Sequence, residues 1–128
     1  MASVSYAALA QFVELLASEE TYDDEEGVWK FADGSYSSTC TSGAIRVANE
    51  FDGRVVGYQA DENPGAEIGR AYGEGHDFAF IANRWIVDYW AYHVAAVSPV
   101  SVWDLEVAED VKAVERLYGN RDTWEDLS

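Results

Sequence analysis

Three side chains in this sequence have the types and the order to do covalent chemistry: Cys40, His76 and Asp88. A cysteine at a helix start sits beside unpaired amide protons and the positive end of the helix dipole, which favour thiolate over thiol. An imidazole within hydrogen-bond reach takes the thiol proton and later returns it to a leaving group. A carboxylate on the far side of the imidazole fixes its tautomer and orientation. Thiolate and imidazolium then stabilise each other, so the histidine should hold its proton above the usual imidazole range. Asp88 lies between Val87 and Tyr89 in an aromatic run, where a carboxylate is costly without a partner. His76 or Arg84 could be that partner, and His93 is a second candidate base. Taken singly, a lone cysteine is most often a small buried hydrophobe and a lone histidine a satisfied strand residue. Together and in this order they read as nucleophile, base and orienter.

The elements around them can be placed from periodicity. Ala44, Val47, Ala48 and Phe51 share one face of a helix running from Cys40 to about Phe51. Ser38 or Thr39 can cap its start, and Gly53 can close it in the left-handed region. His76 to Ala82 and Arg84 to Trp90 alternate as two strands of a hairpin. Residues directly opposed in a hairpin share a face. Asp88 should therefore stand opposite His76, with Phe78 opposite Ile86 and Phe80 opposite Arg84, around a loop of Ile81, Ala82 and Asn83. A strand is expected from Arg54 to about Ala60.

Leu9, Phe12, Val13 and Leu16 make the stripe of an N-terminal helix, with Ser3 or Ser5 as its cap. The acidic run from Glu19 to Glu26 ends it and reads as solvated charge, closed by Gly27. Residues 28–39 read as an irregular approach to the cysteine, and residues 61–75, with Pro64 and several glycines, as a long loop. A last helix is expected from about Val102 to Tyr118, striped by Val107, Val111, Val114 and Tyr118 and stopped at Gly119. The tail through Trp124 is expected on the surface. The expected fold is α+β: one compact domain over residues 1–128, its cysteine helix packed on a small antiparallel sheet between N- and C-terminal helices.

Composition narrows the partners. The chain has 128 residues, 48% hydrophobic and 14% aromatic, with one cysteine and a formal charge of -16. That is enough apolar material for a core, and a single thiol excludes an internal disulfide or a thiolate-rich zinc site. No ligand spacing or cofactor motif calls for a metal or cofactor. No run is long and apolar enough to span a membrane, and no basic segment precedes an apolar one at the N-terminus, so a cytoplasmic protein is expected. The negative charge disfavours nucleic acid and anionic lipid. Residues 28–60 are the exception, with Lys30, Arg46 and Arg54 balancing Asp33, Glu50 and Asp52. The one neutral stretch carries the cysteine.

Cys, then His, then Asp, the last two on a hairpin, resembles the compact transglutaminase-like and NlpC-like branches of the papain-like cysteine hydrolases. The resemblance is carried by Ser38-Thr39-Cys40-Thr41-Ser42-Gly43-Ala44, Gly75-His76-Asp77-Phe78-Ala79-Phe80 and Arg84-Trp85-Ile86-Val87-Asp88-Tyr89-Trp90. It implies Cys40 as nucleophile, His76 as base and Asp88 as orienting carboxylate. Papain-type members place a glutamine shortly before the cysteine as oxyanion donor; here that stretch reads Asp33-Gly34-Ser35-Tyr36, so Tyr36 or a backbone amide near Thr39 and Thr41 must serve. Tyr89 stands where the transglutaminase branch often has proline. The implied activity is that of a small cysteine hydrolase or acyltransferase: a peptidase, amidase or glutamine deamidase acting on a peptide or protein amide through a thioester. A short domain of this kind would suit a bacterial or phage effector. The contrasting expectation, from the charge alone, is an acidic binding protein, either an immunity-type inhibitor or a nucleic-acid mimic.

Overall fold

The computed structural model describes residues 4–128. Helix α1 spans Tyr6–Glu19, with the Ser5 hydroxyl accepting from the Ala8 amide as N-cap. Ser3, the alternative cap, lies outside the described residues. Leu9, Val13 and Leu16 are fully buried, as the stripe requires. Burying a leucine side chain contributes on the order of 2 kcal/mol, so these residues seat the helix more firmly than its propensity does.

The acidic run does more than solvate. Strands β1 (Thr21–Asp23) and β2 (Val28–Lys30) pair antiparallel across it. Asp23 accepts from the amides of Glu25 and Glu26, and the Lys30 ammonium reaches Asp23 and Glu26, both at 2.9 Å. Local side-chain bonding to the backbone turns a charge run into a hairpin.

Helix α2 runs Cys40–Phe51, the expected span. Its end differs: Asp52, at φ +54°, takes the left-handed position rather than Gly53. Gly53 is needed for space instead, since a Cβ there would meet the Ile81 side chain at 2.2 Å. Strand β3 (Arg54–Tyr58) follows. Residues 61–75 then hold a 3-10 turn and a short helix, α3 (Glu67–Tyr72), where a loop was expected; burial of Ile68 and Ala66 supplies the anchor.

Strands β4 (His76–Ile81) and β5 (Trp85–Val87) form the expected hairpin in a different register. Phe80 opposes Ile86 and Ile81 opposes Trp85, around a loop of Ala82, Asn83 and Arg84. Ala82 and Asn83 both sit at φ +54°, and the Arg84 amide donates back to Ile81 O, giving a primed two-residue turn with Arg84 as an extra residue. The register is thus displaced by two from the expected one. A shift of two preserves the face on which each side chain lies.

Beyond Val87 the chain leaves the sheet and forms a π-helical turn, Trp90–Val94. The expected start of the last helix is wrong: Val102–Asp104 is strand β6, paired with β5, and helix α4 begins at Ala108 and ends at Tyr118. Val102 and Trp103 alternate as a strand does, and the missing ladder beside β5 claims them. The tail is built in as well. Trp124 packs on Phe78 and Tyr118, and β7 (Glu125–Asp126) pairs with β3. The second sheet has the order β6-β5-β4-β3-β7, all neighbours antiparallel. The fold is α+β, and no described helix is long and apolar enough to cross a membrane.

Two apolar clusters flank this sheet. Ala79, Ile81, Trp85 and Val87 face α1 and α2. Phe78, Phe80, Ile86 and Val56 face α4 and Trp124.

Candidate active site

Cys40 is the first residue of α2, and Thr39 its extended N-cap. The Thr39 amide is bonded to Tyr36 O, so the Cys40 amide is the first left without an intrahelical partner. Two contacts fix this helix start. The Thr41 hydroxyl donates to Asp77 on β4 at 2.6 Å. Gly43 lies so close to Tyr89 that a Cβ would approach its Cβ to 3.0 Å. Gly75, just before His76, is likewise spatial: a Cβ would meet Tyr58 O at 2.3 Å.

His76 and Asp88 are 2% and 3% exposed and are hydrogen-bonded, Nε2 to Oδ2, at 2.6 Å. Their contact survives the unexpected register because both remain on the same face, as diagonal rather than directly opposed neighbours. Diagonal cross-strand positions lie within reach of a ring-sized side chain. Asp88 has two further partners. The Tyr118 hydroxyl donates to Oδ2 at 2.7 Å and the Ala91 amide donates to Oδ1 at 3.0 Å. The carboxylate thus caps the π-helical turn, a distortion that often marks functional sites. Its own amide donates to Ser101 O at 2.9 Å.

Burial pulls the His76 pKa down, but the Asp88 charge, the Asp88 hydrogen bond and the adjacent Cys40 outweigh it and raise it to about 10. The ring is therefore an imidazolium near neutral pH. With Nε2 committed to Asp88, Nδ1 is the nitrogen free to serve the sulfur. Burial first, then the Asp88 charge, pushes the Tyr118 phenol well above its usual value, so it stays a donor.

Cys40 and His76 line one cavity of about 390 Å³, shared with Thr39, Ile68, Tyr72 and Trp90. The structure therefore brings the expected nucleophile, base and orienter together. No family model, curated protein or solved structure matches this chain. The geometry of the three side chains is what speaks for a function.

The expected oxyanion donors divide. Thr39 lines the cavity, although its hydroxyl is engaged by Tyr36 O and Ser42. Thr41 is turned to Asp77. Tyr36 is out of place: its hydroxyl donates to Glu26 at 2.6 Å beside Lys30, and it does not line the cavity. The β1–β2 hairpin, unforeseen in the acidic run, captures it. The amide of Cys40 is left as the donor the backbone supplies. His93 also falls elsewhere, its ring tilted against Tyr89 and Glu20 at 3.8 Å.

Sequence reasoning overlooked Tyr118 and Trp90. Tyr118 belonged to an apolar helix stripe, and nothing in that stripe marks its hydroxyl as the third contact to Asp88. Trp90 closes an aromatic run, and its indole N–H donates to Ser38 O at 3.0 Å and fixes the segment entering α2. Tyr58, directly opposite His76 on β3, is buried, and its hydroxyl has no hydrogen-bond partner among the described residues.

Proposed function

We propose that this protein is a small cysteine hydrolase or acyltransferase acting on an amide. The observation that supports it is the buried His76–Asp88 pair set beside the Cys40 thiol in one cavity. A histidine raised by a carboxylate behind it and a sulfur in front is placed to exchange a proton with that sulfur.

The reaction is a double displacement. The Cys40 sulfur attacks the amide carbon, a C–S bond forms, and the carbonyl π pair moves onto oxygen, facing the Cys40 amide. The tetrahedral adduct collapses, the C–N bond breaks, and the departing nitrogen takes the proton held on His76. Water, or a second amine, then gives its proton to His76 and attacks the thioester carbon. The C–S bond breaks and the sulfur returns as the leaving group. Asp88, fixed by Tyr118 and the Ala91 amide, keeps the ring aligned through both halves. Peptide, primary amide and glutamine side chain are substrates of the same chemistry, within a cytoplasmic or delivered protein.

Alkylation of Cys40 by iodoacetamide at pH 7, mapped by peptide mass, is expected to be at least about tenfold faster in the native protein than in His76→Ala. A peptide and glutamine-amide library should then release amine or ammonia with the native chain and none with Cys40→Ala. Equal alkylation in both proteins would overturn the proposal and leave the acidic binding protein as the reading of the charge.

A further inference from the structure

The cavity beside Cys40 carries a carboxylate as well as the thiol. Glu74 lines it together with the rings of Tyr72 and Trp90, and no lysine or arginine does. Among the described residues no cation lies within ion-pair distance of the Glu74 carboxylate. Arg70, on the same helix as Ile68 and Tyr72, is exposed and lines no part of the cavity. Tyr72 and Trp90 lie with ring centroids 5.0 Å apart and planes inclined at 73°, an aromatic corner with one face of the exposed Tyr72 open to solvent. The Trp90 indole is held by Ser38 O, so this corner is preorganised.

A free carboxylate beside aromatic faces is the arrangement that attracts an ammonium or guanidinium, through charge and through the ring quadrupole together. Among the described residues the one positive group lining the cavity is the His76 imidazolium, and Asp88 at 2.6 Å offsets it. The charge of -16 over the whole chain adds a long-range bias toward cations at low salt.

We propose that the substrate amide carries a positive charge next to the scissile bond, seated between Glu74 and the Tyr72–Trp90 corner. This rests on the reading of Cys40 as the nucleophile. A lysine or arginine side chain, or a polyamine amide, has the required chemistry: an apolar stem to lie along Ile68 and the rings, and a cationic head for Glu74.

Three methanethiosulfonates, two charged ones of similar size and a small neutral one, separate the two claims without needing the substrate. Each reacts by the Cys40 sulfur forming a disulfide and expelling methanesulfinate; one carries trimethylammonium, one sulfonate and one a methyl group. In the native protein the cationic reagent should outpace the anionic one, and Glu74→Gln should lower that ratio by about fivefold or more. Tyr72→Ala should lower it by a smaller factor. Glu109→Gln, which removes an exposed acid of α4 outside the cavity, should leave it within about twofold. A ratio unchanged by Glu74→Gln, or lowered equally by Glu109→Gln, overturns the cation site and leaves the nucleophile intact. A Cys40 inert even to the methyl reagent overturns both.

Discussion

The two faces of the five-stranded sheet are built from alternate residues of the same strands, yet they differ in kind. The face under α1 and α2 is filled with Ala79, Ile81, Trp85 and Val87, and its two carboxylates, Asp77 and Asp104, are bonded to Thr41 and Arg84. The face under α4 is equally buried but carries His76 and Asp88 between Phe78, Tyr58 and Tyr118. The first face can be read as a foundation. The second places a charged pair where water is scarce, which is justified only if each polar atom is answered. The cysteine comes from the helix of the apolar face and meets the polar face only at the cavity, where α2 starts. The placement of Cys40 beside His76 therefore depends on how the foundation seats one helix end.

The contrast can be broken most sharply at Asp88. Asp88→Ala would leave the His76 charge, the Tyr118 hydroxyl and the Ala91 amide without their acceptor. A loss of about 3–5 kcal/mol in unfolding free energy is expected from denaturant titration. If the polar face is held by that pair and not merely by packing, replacing both members with apolar residues, His76→Phe with Asp88→Leu, should recover part of the loss while Cys40 reactivity falls to that of His76→Ala.

Tyr118→Phe should cost less, about 1.5–3 kcal/mol, because it removes one hydrogen bond to a charged group and leaves the volume filled. It should also slow Cys40 alkylation, since the carboxylate loses one of the contacts that fix it. An unchanged rate would mean that Tyr118 only packs.

The pH dependence separates the faces by sign. His76 has a raised pKa in the fold, so protonation there adds stability that is fully present below the unfolded value of about 6.5. It is lost as pH rises through the folded value of about 10. The stability difference between the native chain and His76→Phe should accordingly be largest near pH 6 and shrink toward pH 10, measured by chemical unfolding at each pH. A difference that grows with pH would mean that His76 is buried neutral.

Smallest is the effect on the apolar face. Ile81→Val should cost about 0.5–1.5 kcal/mol, with no pH dependence of its own and no change in Cys40 reactivity. A marked loss of reactivity would show that the foundation holds α2 more tightly than expected.

The sequence by itself determined the parts whose signals are local. The stripe Leu9, Val13, Leu16 placed α1, the stripe ending at Phe51 placed α2, and alternating aromatics placed the β4–β5 hairpin. Side-chain alternation put His76 and Asp88 on one face, and that survived a register error of two because the period of a strand is two. Only tertiary structure decided the rest. Val102 and Trp103 became a strand because β5 lacked a neighbour on that side. The acidic run became a hairpin because Lys30 and the backbone amides could reach Asp23, and this took Tyr36 away from the cysteine. Tyr118 became a partner of Asp88 because α4 crosses the polar face. Except for the acidic hairpin, whose contacts close within residues 21–36, each of these depends on which elements meet, and no window of consecutive residues carries that information.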